Sequence, residues 1–363
     1  MALASLTGTT ASNTAFGYNA LNADSTAHDN TAFGYQALKK VYVTPDNGNT
    51  AFGSRALENL QSGSENTAIG YYAGFNMMGS SNVYSQNNTI VGSSALASSI
   101  HGNYNTAVGA YALNQSGQAA VDHLDNNNVA VGYMAGYGVT SGASNVLVGV
   151  AAGGNNLDTY PLTTGSDNVL IGMGAGKQLR VGKNNVVIGN STVVTTDTDN
   201  QIAIGYGATT TAANSIQIGN ASITSAGVKV AWTNPSDRRL KQDIVDSPLG
   251  LAFIQKLRPV TYSFITQPTV THEGLIAQEV EAAAQSVGST FHALHAPTTP
   301  DGYYSLSYTN LVMPLINATK ELKAENDALK AENAEMKAEN ADMKAENADM
   351  KARLAKVEKA LGL

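Results

Sequence analysis

Three rhythms of apolar and polar residues succeed one another along the chain. In the first, a short motif recurs: "NTAFGYNAL" at 13–21, "NTAFGYQAL" at 30–38, "NTAFGSRAL" at 49–57 and "NTAIGYYAG" at 66–74. It continues through "NTIVGSSAL", "NTAVGAYAL", "NVAVGYMAG", "NVLVGVAAG", "NVLIGMGAG" and "NVVIGNSTV", and closes with the shorter "QIAIGYGA" and "SIQIGNAS". The glycine after each apolar run falls at 17, 34, 53, 70, 92, 109, 132, 149, 172, 189, 205 and 219. Each run is too short for a helix and many are rich in β-branched residues, so each predicts a strand. Self-similarity over so many copies predicts a solenoid or β-roll. Alternation in "NVLVG" predicts that its second and fourth residues face the core and its third the other side. The recurrent glycine marks a bend or a close backbone approach. Asparagines stacked at the strand starts predict a hydrogen-bonded ladder.

Glycine-to-glycine steps of 17 alternate with steps of 19 to 23 over most of the array. Extra residues therefore enter after every second motif, in loops 39–48, 76–87, 114–127 and 154–167. In a stacked roll such insertions form a row on the surface, often the binding face. They carry Tyr42, Tyr84, Asp122, His123, Asp158 and Tyr160. Such groups suit a sugar or protein receptor, and equally suit plain solvated loops.

From about residue 236 the pattern turns globular. "LGLAFIQKLRPVTYSF" predicts a short helix, then a strand after Pro259, and "HEGLIAQEVEAAAQ" predicts a strand or turn entering an amphipathic helix. From Leu315 the apolar repeat becomes heptad. Positions d are Leu315, Leu322, Leu329, Met336, Met343, Met350 and Val357. Positions a are Thr319, Asn326, Asn333, Asn340, Asn347, Leu354 and Leu361. Glutamate at g and lysine at e pair across chains in a parallel coiled coil, and asparagine at a gives up apolar burial for register. Such a helix cannot cover its own stripe, so the pattern predicts an oligomer. The predicted architecture is a mainly β repeat region (1–232), an α+β domain (233–314) and a long parallel coiled coil (315–363).

Composition changes this picture in few places. Of 49 charged side chains, residues 1–235 hold 18 and residues 236–363 hold 31. The Gly, Asn, Thr and Ser content of the first part would suit disorder, but disorder does not preserve an apolar residue before glycine in motif after motif. A net charge of −7 argues against nucleic acid as partner. Without cysteine there are neither disulfides nor thiolate metal sites. The opening "MALASLTGTTASNT" lacks a basic region and an apolar core, so it does not read as a secretory signal. No run of about 18 apolar residues predicts a membrane span.

"SDRRLKQDI" at 236–244, "LRPVTYSF" at 257–264, "HEGLIAQEVE" at 272–281 and "YYSLSYTNLVMPLINATKEL" at 303–322 occur in that order before the coil. This series resembles the intramolecular chaperone domain of phage tail fibres and endosialidases, a self-cleaving peptidase. The repeats separately resemble the head repeats of trimeric adhesins, a left-handed parallel β-roll built by three chains. Together these resemblances imply a homotrimeric tail fibre of the virion, produced in the host cytoplasm. They imply that Ser236 is a nucleophile, Lys241 its general base, and Pro235–Ser236 the bond cut, once per chain and with no cofactor. Serine is a poor nucleophile until a base takes its proton, and Ser–Lys is a known variant of triad logic. Lysine serves as a base where burial or like charges, here Arg238 and Arg239, favour loss of its proton.

His272, Gln278 and Glu279 sit in another motif of the resemblance and are candidates to orient the dyad or stabilise an oxyanion, or to serve structure alone. His292 and His295 have a spacing that suits a metal, but no carboxylate motif joins them, so no metal is expected. No paired-carboxylate glycosidase motif is identified in 1–235. The alternative is an adhesin-like structural fibre whose chaperone does not cut.

Overall fold

The computed structural model describes residues 12–22, 27–41, 48–78, 84–116, 127–154, 162–194, 197–230, 232–265, 267–297 and 302–361. The chain divides into two compact units, Met1–Gly227 and Val228–Leu363.

The first unit is a solenoid. Its described residues form twelve three-residue strands, from β1 (Thr14–Phe16) to β12 (Ile216–Ile218), in one parallel sheet ordered as in sequence. Register is repeat on repeat: Thr14, Ala15 and Phe16 stand over Thr31, Ala32 and Phe33. The predicted facing of the strands is reversed. The third motif residue (Ala32, Ala51, Ile90, Leu147, Leu170, Val187) is buried, while the second and fourth lie on the outer face. Strict alternation fixes which residues share a face but not which face turns inward. A coil this narrow puts the frequently small third residue inside and the bulkier fourth outside. The outer face consequently shows Phe16 at 64%, Phe33 at 42% and Phe52 at 52% exposure. Their rings stack with centroids 4.8 Å apart.

Two ladders bind the rungs. Gly17 has φ +134°, and a Cβ there would lie 2.3 Å from the Gly34 carbonyl oxygen; the same crowding recurs at most rungs. Only glycine tolerates both conditions. The asparagines form the second ladder. Asn168 Nδ2 donates to Asn145 Oδ1 (3.0 Å) and to the Gly182 carbonyl (2.9 Å). Asn168 Oδ1 in turn accepts from the backbone N–H and the Nδ2 of Asn185, at 3.0 Å each. At the eleventh rung Gln201 replaces asparagine, and its Oε1 accepts from Thr210 Oγ1 at 2.6 Å. Because Asn168 is fully buried, Asn168→Ala strands several donors and acceptors at once. Its expected cost is roughly 2–4 kcal/mol, measured as a lowered denaturation midpoint; an unchanged midpoint would remove the ladder's claim to stability.

Gly74 and Gly136 make room for neighbouring leucines: a Cβ on Gly74 would lie 2.6 Å from Leu57 Cδ2, and one on Gly136 2.8 Å from Leu113 Cδ2. Leu57 and Leu113 themselves adopt φ +50° and +48°, a conformation a bulky residue holds only where packing over-determines it. The inserted loops lie mostly outside the described residues, and with them Tyr42, Asp122, His123, Asp158 and Tyr160. Tyr84 is described and partly exposed.

The second unit follows the predicted order. Helix α1 (Leu251–Ile254) precedes an antiparallel hairpin of β13 (Val260–Phe264) and β14 (Gln267–Gly274). Helix α2 (Ala277–Ser286) and the short pair β15 (Leu294–His295) and β16 (Ser305–Leu306) follow. A small core gathers Leu249, Phe253, Val280, Ala284, Phe291 and Ala293. Helix α3 (Val312–Leu361) runs for 50 residues, and its heptad stripe from Leu322 onward is exposed. No helix among the described residues is long and apolar enough to cross a membrane.

Candidate functional site

"SDRRLK" folds as one tight turn. Asp237 is its N-cap: its carboxylate accepts the Arg239 N–H at 2.8 Å, as short polar side chains do at helix starts. Residues Arg238–Leu240 make a single 3-10 turn, closed by the Lys241 N–H donating to the Arg238 carbonyl at 3.0 Å. That turn folds the chain back far enough for Lys241 Nζ to donate to Ser236 Oγ at 2.7 Å. The two side chains that the sequence spaced five apart therefore touch. Once Nζ has lost a proton, the same contact runs the other way, with Oγ–H donating to Nζ.

The environment of the pair is open. Residues 232–248 are exposed throughout. The Arg239 guanidinium is tied to Asp237 by a bond of 2.7 Å, and it holds that carboxyl below the usual aspartate range. The expected aids to the base are thus largely missing within one chain: burial is absent, and of the two arginines Arg239 is neutralised by its own carboxylate.

The remaining candidates stand elsewhere. His272 packs against Tyr262 and Phe264, ring centroids 5.6 and 5.1 Å away, and its buried Nε2 has no hydrogen-bond partner among the described residues. Gln278 is exposed. Glu279 forms a two-pronged ion pair with Arg258, 2.5 and 3.1 Å, which lowers its carboxyl below the usual range. No hydrogen bond among the described residues joins His272, Gln278 or Glu279 to Ser236 or Lys241. His295 lies on β15, paired with Ser305. The described residues contain no group of three or more potential metal ligands.

Two residues within the 303–322 motif, to which the sequence assigned no role, hold the segment following the pair. Asn317 Nδ2 donates to the carbonyls of Ser247 and Leu249, 3.1 Å each, and a Glu321 carboxylate oxygen accepts the Leu251 N–H at 2.7 Å. They are about 70 positions from their partners, beyond the reach of any local pattern.

Residues 236–289 match a family model, Peptidase_S74, described as chaperone of endosialidase. The match begins at Ser236. This family is a self-cleaving intramolecular chaperone domain. A β-solenoid followed by such a segment fits a tail fibre with a C-terminal chaperone. No curated protein matches the chain.

Proposed function

We propose that this chain is a homotrimeric tail-fibre protein of the virion whose C-terminal chaperone assembles three chains and then frees itself by cutting Pro235–Ser236. The observation that carries the cut is the 2.7 Å contact of Lys241 Nζ with Ser236 Oγ at the first residue of the matched segment. Neutral Lys241 takes the Oγ proton, and Oγ attacks the Pro235 carbonyl carbon. The C–N bond breaks as the nitrogen gains a proton, leaving an ester between Pro235 and Ser236 Oγ. Water then opens the ester to a Pro235 carboxylate and a new N-terminal Ser236. The exposure of the pair in one chain fits a reaction that waits for assembly, when neighbouring chains exclude water and favour the neutral base.

Assembly is supported by two uncovered apolar surfaces. One is the Phe, Ile and Val stripe along the solenoid, including Phe16, Ile69, Val131 and Ile171; the other is the seam of α3. Stripes of this length on a lone chain mark an interaction surface. Near-identical rungs make slips of register cheap. A coiled coil at one end raises the effective concentration of the other strands and fixes their alignment. After release of residues 236–363 the fibre lacks its nucleus for refolding, so its unfolding barrier maintains it. Receptor contact through the inserted loops rests on their period.

The test expresses the full chain beside residues 1–235 alone. The full chain yields heat-resistant trimers and two fragments on a denaturing gel. The truncated chain yields less than about a tenth as much soluble trimer, because three strands must then align without the coil. Equal yields would overturn the chaperone role. A trimer that stays at 37.6 kDa per chain would leave a structural fibre with a non-cleaving chaperone.

A further inference from the structure

The strap from Lys241 to α1 is anchored at its α1 end, by burial of Leu249 in the small core and by hydrogen bonds to Asn317 and Glu321 of α3. Glu321 also supplies what α1 lacks locally: its N-cap, Gly250, has no side chain to accept the Leu251 N–H. A Cβ at Gly250 would lie 2.0 Å from Glu321 Oε1, so the carboxylate occupies the space that the glycine leaves.

The heptad frame gives this clamp its meaning. With Leu315 and Leu322 at d and Thr319 at a, Asn317 falls at f and Glu321 at c, four residues apart on the face away from the seam. Leu315 and Leu322 are 47% and 50% exposed, free to meet partner helices while the clamp stays closed. Only five residues separate Lys241 from Ser247, so the Lys241 backbone stays within roughly 20 Å of the clamped segment even on a fully extended strap.

We infer that Asn317 and Glu321 are positioning residues for the scission: they tie the strap carrying Ser236 and Lys241 to the coil, so that assembly of the coil sets where the pair stands. The inference rests on the proposed self-cleavage. Neither residue touches the reacting atoms. Both act through the backbone of 247–251, and the coil's own seam does not depend on them.

The experiment follows the cut fraction of the full chain with time, together with the oligomeric state of the uncut chain by sedimentation. Glu321→Ala removes the acceptor. Gly250→Ala displaces the carboxylate with no change to the coil's own sequence, and its φ of −143° lies outside the left-handed region. Both are expected to assemble normally and to cut at least about tenfold more slowly, as loss of a bond to a charged acceptor implies. Glu321→Gln keeps an oxygen facing the Leu251 N–H and is expected to restore most of the rate. Wild-type cutting in Glu321→Ala would overturn the clamp alone. So would slow cutting in Glu321→Gln equal to that of Glu321→Ala, or a slowing that appears only where assembly is lost. An uncut wild-type chain would overturn the self-cleavage reading, and the clamp with it.

Discussion

With alanine at position 236 the chain is expected to assemble as before and to remain whole at 37.6 kDa. Ser236 is exposed, and its one hydrogen bond within the described residues is the contact with Lys241. Removing a surface hydroxyl changes stability by no more than about 0.5 kcal/mol, so lost cutting cannot be put down to lost folding. Without Oγ there is no atom to carry the Pro235 acyl group. Lys241 gives the sharper comparison. Lys241→Arg keeps the positive charge and the reach, but guanidinium does not give up its proton in a protein. It should therefore cut on the order of 10²–10⁴-fold more slowly, the range expected for loss of a general base. A role for Lys241 confined to charge would leave Lys241→Arg active. Cutting at the normal rate in Ser236→Ala would exclude Ser236 as the nucleophile.

Gly109→Ala is expected to have the largest effect on the fibre itself. Gly109 has φ +135°, and an added Cβ would lie 2.4 Å from the Gly132 carbonyl oxygen and 2.6 Å from its carbon. Both are backbone atoms of the next rung, which cannot swing aside as a side chain would. Relief requires parting two rungs held about 4.8 Å apart by the parallel ladder, and that breaks hydrogen bonds and asparagine contacts together. The backbone conformation adds its own penalty. The sum is on the order of 3–5 kcal/mol in each chain. A thermal melt followed by circular dichroism should show the repeat region unfolding well below the wild type. Gly227→Ala is the control: nothing lies within 4 Å of its added Cβ, and its φ is not positive. Equal melting of the two variants would mean that the glycine ladder does not set rung spacing.

The expectations that held are those in which neighbours in sequence or copies of one motif decide the outcome. Gly17, Gly34 and Gly53 recur after apolar runs because each rung crowds the next, and the repeat prints that close crowding ten times. Asn145, Asn168 and Asn185 recur because each bonds to the last. The contact of Ser236 with Lys241, residues that the family resemblance had named, is local too: a turn of six residues whose N-cap, Asp237, lies between them. The heptads of α3 need only their own period.

The sequence by itself determined the parallel stack, its two ladders, the order of elements in the second unit and the long helix, while Ser236 and Lys241 were singled out only through the family resemblance. Each follows from local geometry or from repetition. Only the tertiary structure decided that Ala32 and Leu147 turn inward while Phe33 and Val148 turn outward, because a period of two is the same whichever face closes. It likewise decided that Arg239 is silenced by Asp237 and Glu279 claimed by Arg258, since a charge in a sequence does not name its partner. The grip of Asn317 and Glu321 on residues 247–251 is the clearest case. Contacts across about 70 residues exist only after the chain has folded back on itself, and no pattern along the chain carries them.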